Sequence, residues 1–165
     1  MKQIVGVADM KISNTPGDVL VTYSLGSCIG VVIYDPFVKA AGMLHYMLPD
    51  STIDREKAEM KPFMFADTGI PRLFKQSYTL GAKKSRIKVF IAGGAEILDQ
   101  KGFFNIGKRN LVALKKMFFR NNVFIDRQEV GGNVNRTVKI EISTGNTYMK
   151  TSGFPEEMVW RPSRN

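Results

Sequence analysis

Hydrophobic positions recur along this chain in two periods, and most of the runs have the period of strands. Runs rich in Val, Ile and Leu, several of them alternating with polar residues, are bounded by turn residues such as those at 14–17 and 144–146. Because these strands are mostly neighbours in sequence, an α+β domain is predicted rather than a Rossmann-type alternation. The predicted strands cover residues 4–13, 18–24, 28–35, 40–48, 86–96, 122–132 and 136–150.

Two segments have the longer period of helices. Residues 57–80 predict a helix in pieces, broken near Pro62, restarted around Pro71 and ended by Gly81. Residues 105–122 predict a firmer helix, because apolar residues recur on one face of it.

The first turn of this second helix holds polar residues with several interpretations. Asn105 is a candidate N-cap. Arg109 and Asn110 are candidates for contact with a partner, and solvated positions in the first turn of the helix are an equally good interpretation. The apolar face consists of Leu111, Leu114 and Phe118.

Length and charge limit the class of protein. The 165 residues, 44% of them hydrophobic, suffice for one domain with its own core. The net charge of +9 suits nucleic acid, anionic lipid or an acidic protein. The basic residues are spread without the interleaved aromatic residues of single-strand binders, so a solvated surface is favoured and no nucleic-acid partner is expected. Without an apolar run near the ~20 residues of a membrane span, or a secretion signal, a cytoplasmic protein that does not insert into membranes is expected.

The chain has one cysteine, Cys28, and one histidine, His45. A single cysteine excludes an internal disulfide, and this residue supply excludes a zinc finger. We therefore expect no structural metal site.

The cysteine lies in the segment "VTYSLGSCIGVVIYDP", where a polar turn passes into an apolar strand. If residues 28–35 and 40–48 form an antiparallel hairpin with a loop at 36–39, Gly30 lies opposite His45. Side chains repeat every two residues along a strand, so Cys28 then points to the same face as His45, diagonally across the ladder. The spacing predicts that the thiol and the imidazole can meet.

Such a pair has a chemical use. An imidazole that takes the proton of a thiol leaves a nucleophile for acyl carbons. Gly26 permits a tight turn, so the Cys28 amide and the amide or hydroxyl of Ser27 are candidate oxyanion donors. Thr22, on the preceding strand, is a candidate for fixing the histidine tautomer. From the residues alone a core cysteine and a core histidine remain the more frequent interpretation.

At these residues the sequence resembles the CheD family of chemoreceptor glutamine deamidases. The segments "TYSLGSCIGVVIYDP" and "AGMLHYMLPDS" carry the resemblance, and further similar blocks follow in family order from Ile4 to Lys150. These are "VGVADMKIS", "FADTGIPRLF", "IAGGAEIL", "NIGKRN" and "VGGNVNRTVKIEISTG".

The resemblance implies a fold and a domain division. The fold is a layered α/β sandwich with mixed, largely antiparallel sheets and outer helices, similar to the cytotoxic necrotizing factor deamidases. The family domain covers residues 1–150, which leaves residues 151–165, with Trp160, as a C-terminal extension of unknown role.

The resemblance also implies an activity. Cys28 matches the nucleophile, His45 the general base, Thr22 the residue that orients the histidine, and Ser27 a residue needed beside the nucleophile. The implied reaction hydrolyses receptor glutamines to glutamate without a cofactor. The implied partners are the cytoplasmic helices of methyl-accepting chemotaxis receptors and a CheC-type phosphatase. A binding module that regulates this phosphatase, with little hydrolysis of its own, is the alternative.

Overall fold

Two five-stranded sheets pack face to face in the computed structural model, which describes residues 1–97 and 105–163, and helices cover the outer face of one sheet. In these ranges the strands are β1 (Lys2–Ile4), β2 (Asp9–Ser13), β3 (Val19–Leu25), β4 (Ile29–Asp35), β5 (Ala40–Tyr46), β6 (Lys88–Gly93), β7 (Arg127–Val130), β8 (Arg136–Glu141), β9 (Thr147–Thr151) and β10 (Glu157–Trp160). The helices are α1 (Arg55–Met60), α2 (Ala66–Tyr78) and α3 (Ile106–Arg120), with short 3-10 turns at Ser51–Ile53 and Pro62–Met64.

Both sheets are mixed but mostly antiparallel. The first has the order β1-β3-β8-β9-β10 and the second β2-β5-β4-β6-β7. The pairs β1/β3 and β6/β7 are parallel, and the other pairs in these sheets are antiparallel. The predicted α+β class with a layered sandwich and outer helices is confirmed. The likeness to cytotoxic necrotizing factor enzymes stays a prediction.

The second sheet lies in the middle of the molecule, and its central strands are buried on both faces. Every residue of β4 and β5 is buried. Val32 and Met43 face the core between the two sheets, whereas Val31 and Leu44 face α2 and α3. This double burial explains why both strands read as continuous apolar runs rather than as alternating ones.

The predicted strand over residues 4–13 is wrong in one respect, because it is two strands in different sheets. β1 pairs with β3 in the first sheet, and β2 pairs with β5 in the second. Between them Ala8 has a φ of 58°, in the left-handed region, which breaks the extended backbone. Apolar periodicity reports that a segment is extended and not which strand it pairs with.

The predicted restart of the first helical segment near Pro71 is also wrong. α2 begins at Ala66 and includes Pro71 in its interior, so the helix forgoes one backbone hydrogen bond there. Its face with Ile70, Leu73 and Phe74 is buried against the second sheet, and that burial offsets the loss. The predicted end is confirmed, since Gly81 follows the helix with a φ of 91°.

The C-terminal residues take part in the same core. β10 pairs antiparallel with β9, and the Trp160 ring stacks on Phe90 with centroids 5.8 Å apart. The boundary after residue 150 stays a prediction, and Arg164 and Asn165 lie outside the described residues. Of the helices in the described ranges, none combines the length and the apolar content that crossing a membrane requires.

Candidate active site

His45 lies on β5 and faces the core between the two sheets. Its pairing residue on β4 is Gly30, and the same ladder pairs Asp35 with Ala40. The predicted hairpin register is therefore confirmed. Met43, two residues earlier on β5, belongs to the core between the sheets, so His45 points toward the first sheet, where β3 carries Thr22.

A hydrogen bond joins His45 to Thr22 across this core. Thr22 Oγ1 lies 2.7 Å from His45 Nδ1 and also 2.7 Å from the backbone oxygen of Val5. A carbonyl oxygen can only accept hydrogen bonds, so the hydroxyl of Thr22 donates its one hydrogen bond to the Val5 carbonyl. Nδ1–H must then donate to Thr22 Oγ1. This assignment leaves the lone pair on Nε2.

Nε2 is poised to accept a proton. His45 is 1% exposed, and Nε2 has no hydrogen-bond partner among the residues that the structure describes. Burial lowers the pKa of the imidazole from 6.5 to about 4. The ring is therefore neutral at physiological pH. An unpaired buried nitrogen destabilises the fold by about 1–3 kcal/mol, and a free lone pair is what a general base requires.

Cys28 lies in the bend between β3 and β4 and packs against the core between the sheets, on the side that His45 faces. Burial raises the pKa of its thiol from 9.0 to about 11, although its own backbone N–H lowers it in part. The thiol makes no hydrogen bond to Nε2 in the structure. The resting pair is thus a neutral thiol and a neutral imidazole, not the ion pair that a low-pKa cysteine forms. Proton transfer must accompany attack on a substrate.

The backbone around Cys28 is held by its carbonyl groups. Gly26 O accepts from the amide of Ala95 and Cys28 O from the amide of Gly94, each at 2.9 Å. A Cβ on Gly93 would overlap the Cys28 carbonyl oxygen, so this close approach requires glycine. The amides of Ser27 and Cys28 donate to no backbone carbonyl within the described ranges, so they are available to a developing oxyanion.

Cys28 opens onto a cleft of about 630 Å³. His45 lies beneath this surface rather than in the cleft wall. The wall is largely apolar, with a few polar groups, which is the usual composition of a binding site. Its residues are Ser24, Gly26, Ser27, Cys28, Met47, Leu48, Ile53, Asp54, Lys57, Met64, Ile97, Ile106 and Asn135.

Sequence reasoning missed two groups near the site, the Val5 carbonyl and Asn135, and it misplaced Asn110. Asn110 is fully buried, so its interpretation as a solvated residue or a surface contact is wrong. Its spacing from Leu114 and Phe118 places it on the buried face of α3, and that spacing is visible in the sequence. The Val5 carbonyl carries no such sign, because backbone groups leave no trace in residue identity.

The cap prediction is corrected as well. Asn105 occupies the N-cap position of α3, but its backbone is left-handed and its side chain makes no capping hydrogen bond. Arg109 is exposed, as expected for a first-turn residue.

The buried imidazole makes stability depend on pH. Its folded pKa of about 4 lies below the ordinary 6.5, so the unfolded chain binds more protons between these values and acid favours unfolding. We expect this group to lower the free energy of unfolding by about 3 kcal/mol as pH falls from 6.5 to 4. Urea unfolding across this range measures the loss, and a His45→Gln variant should show a flatter pH dependence. Equal slopes for both proteins would contradict the assignment.

Comparisons with known proteins agree with one another. The model of the CheD family, described as CheD chemotactic sensory transduction, matches residues 47–151. The chain is 57% identical over 92% of its length to "Probable chemoreceptor glutamine deamidase CheD 1" of Syntrophus aciditrophicus, of which it covers 95%. It is 47% identical over 94% of its length to a relative from Solibacter usitatus, covering 92% of that protein. It is 37% identical over 96% of its length to "Chemoreceptor glutamine deamidase CheD" of Thermotoga maritima, covering 97% of it.

Proposed function

This chain belongs to the CheD family, and from that premise we propose that it deamidates glutamine side chains of chemotaxis receptors to glutamate, with Cys28 as nucleophile and His45 as general base. Curated relatives over most of its length are named for this activity. The catalytic roles are our proposal for this chain.

One observation carries the mechanism. Thr22 donates its only hydroxyl hydrogen bond to the Val5 carbonyl oxygen, so it accepts a hydrogen bond from Nδ1–H of His45. Nε2 is then left as a buried, unpaired base. That base lies on the side of the sheet that Cys28 packs against. Most buried polar side-chain atoms in proteins have a hydrogen-bond partner, so the unpaired Nε2 of His45 favours a functional role.

The reaction follows from these positions. As the Cys28 sulfur attacks the glutamine carboxamide carbon, its proton passes to Nε2 of His45. The tetrahedral oxyanion accepts hydrogen bonds from the Cys28 amide and from Ser27, in the bend between β3 and β4. The imidazolium then protonates the amide nitrogen, ammonia leaves and a thioester remains. Water that gives its proton to His45 attacks the thioester, and the thiol is regenerated beside a glutamate side chain.

Burial of both groups fits this order of events. Desolvation disfavours the separated charges of a thiolate and an imidazolium, so a bound amide is needed before the proton moves. The mostly apolar cleft wall lowers the local dielectric around the bound carboxamide, which strengthens the hydrogen bonds from the donors.

Partners follow from the same proposal. The receptor is the substrate, and α3 offers it a basic exposed surface with five Lys or Arg residues and no acidic one. A CheC-type phosphatase is a further proposed partner that rests on the family resemblance. A cytoplasmic location is also proposed, since receptor glutamines of this kind face the cytoplasm in the family.

Incubation with a glutamine-bearing receptor fragment tests the activity. We expect the wild-type protein to convert particular glutamines to glutamate, because the site supplies the nucleophile, the base and the oxyanion donors that amide hydrolysis needs. Peptide mass spectrometry locates each conversion. A parallel fragment with glutamate at those positions is the control and should not change in mass.

The same measurement distinguishes the alternative. A binding module for a CheC-type phosphatase would bind its partner while the receptor glutamines stay intact. Absence of conversion with the folded wild-type protein would therefore reject the deamidase proposal.

A further inference from the structure

Asn110 is an amide side chain in the core at the start of α3. It is 0% exposed and shares the buried face of the helix with Leu114 and Phe118. A buried amide is costly unless its polar atoms find hydrogen-bond partners. The partners it has therefore indicate its role.

Its side chain bridges the two segments that carry the proposed catalytic pair. Nδ2 donates to the backbone oxygen of Ser27 at 2.9 Å and to that of Met47 at 2.8 Å. Ser27 directly precedes Cys28, and Met47 follows His45 by two residues. Both acceptors are carbonyl oxygens, so the NH2 group must be the one that points at them.

The amide oxygen is left over. Oδ1 is buried and has no hydrogen-bond partner within residues 1–97 and 105–163. An unpaired buried oxygen is unfavourable. The two hydrogen bonds that Nδ2 donates account for an asparagine at this position in spite of that cost.

The main chain of Asn110 strengthens the anchor. Tyr46 donates its hydroxyl to the Asn110 backbone oxygen at 2.8 Å. Asn110 is therefore held against the end of β5 by its main chain and by Met47, and from that fixed point it holds Ser27.

The bond to Ser27 has a consequence for Cys28 because the two share a peptide unit. A trans peptide is planar, and its C=O and N–H point in opposite directions. Holding the Ser27 oxygen toward α3 therefore turns the Cys28 N–H away from α3. The Cys28 N–H also lowers the pKa of its own thiol in part, against the effect of burial.

The two neighbouring carbonyl groups do not set the orientation of the Ser27–Cys28 peptide. Gly26 O and Cys28 O are fixed by backbone amides of the segment after β6, at Ala95 and Gly94. The Ser27 oxygen between them is held by a side chain. A flipped Ser27–Cys28 peptide would present a carbonyl oxygen where the oxyanion must form, and it would repel the intermediate.

We propose that Asn110 is a positioning residue that sets the orientation of the Ser27–Cys28 peptide and so presents the Cys28 N–H to the oxyanion. The inference rests on the proposed deamidase function for its kinetic consequence and on the structure alone for the peptide orientation.

The test compares Asn110→Ala with Tyr34→Phe as a control. Tyr34 donates its hydroxyl to the backbone oxygen of Ile142 at 2.9 Å, so Tyr34→Phe also removes a buried hydrogen bond from a side chain to the backbone, but it leaves the bond to Ser27 in place. For Asn110→Ala we expect kcat for a receptor fragment to fall about 10- to 100-fold with KM nearly unchanged, because the misplaced Cys28 N–H affects the tetrahedral intermediate and not substrate binding. For Tyr34→Phe we expect a lower melting temperature and a nearly unchanged kcat.

Alkylation of Cys28 by iodoacetamide separates positioning from general damage to the site. This substitution forms no oxyanion, and the Cys28 N–H lowers the thiol pKa only in part, so alkylation in Asn110→Ala should slow much less than deamidation. A fall of both rates by the same factor would overturn the proposal, because the loss would then lie in the thiol or its base.

A crystal structure of the variant gives a readout that needs no activity. A flipped or disordered Ser27–Cys28 peptide in a preserved fold supports the proposal even if the wild-type protein proves inactive toward receptors. An unchanged, ordered peptide overturns it. If Asn110→Ala does not fold, Asn110→Leu, which keeps a similar size but donates no hydrogen bond, is examined in the same way.

Discussion

Replacing Cys28 with alanine is expected to abolish conversion of receptor glutamine to glutamate, with a rate at least about 10⁴-fold below that of the wild-type protein. The sulfur forms the covalent bond to the acyl carbon, and the described part of the chain offers no second thiol, since the sequence contains one cysteine. Mass spectrometry of the receptor fragment over long incubations measures the residual rate.

Cys28→Ser is the matched variant for this test. Serine keeps the size and position of the side chain, but a hydroxyl is a far weaker nucleophile than a sulfur that loses its proton to a base. We expect both variants to fold, because Cys28 is only partly buried at the rim of the core. A Cys28→Ala protein that deamidates at the wild-type rate would remove Cys28 from the mechanism.

Replacing His45 with glutamine is expected to lower kcat about 10²- to 10⁴-fold, the range associated with loss of a general base. Glutamine approximates the size of histidine and can still hydrogen-bond to Thr22, but it cannot take the thiol proton. With the thiol pKa raised to about 11 by burial, little thiolate forms near neutrality without that base. Residual activity of the variant should rise toward alkaline pH as the thiol ionises by itself.

Thr22 provides the control for this second prediction. Thr22→Ser keeps the hydroxyl that accepts from Nδ1 and donates to Val5, so it should retain most of the activity. Thr22→Val removes the hydroxyl without changing the shape, and it should lower kcat because the tautomer is no longer fixed. A His45→Gln variant with unchanged kcat at neutral pH would show that another group accepts the proton.

Because burial raises the pKa of the Cys28 thiol to about 11, thiol-alkylating reagents are not expected to find a ready thiolate at neutral pH. A cysteine held as a thiolate labels readily below its ordinary pKa, which is the behaviour expected from an adjacent imidazole alone. Here burial raises the thiol pKa and lowers the imidazole pKa, so the separated charges are not stable at rest. Reactivity toward a bound amide then depends on proton transfer within the site rather than on a preformed anion.

The local pattern of turn and apolar residues determined the hairpin that carries the candidate site. The four-residue loop at 36–39 and the apolar runs on both sides of it fixed the β4/β5 register, which places Gly30 opposite His45. The two-residue period then placed Cys28 on the side of His45. These inferences succeed because hairpin pairing and strand periodicity are short-range properties of the chain.

Contacts between distant segments decided the rest. The separation of β1 from β2 into two sheets, the start of α2 before Pro71 and the packing of Trp160 on Phe90 all depend on partners remote in sequence. Apolar periodicity identifies elements but does not name their neighbours.

The site divides in the same way. Residue types and spacing made Cys28 and His45 candidates, because a lone thiol and a lone imidazole in one hairpin form a local pattern, and they added Thr22 from the preceding strand. The resemblance to the CheD family then favoured the catalytic interpretation over that of core residues. Tertiary structure decided the histidine tautomer through the Val5 carbonyl, the neutral resting state through burial, and the tether from Asn110 to Ser27. Hydrogen-bond partners and desolvation depend on which atoms surround a group in space, and only the folded chain specifies those atoms.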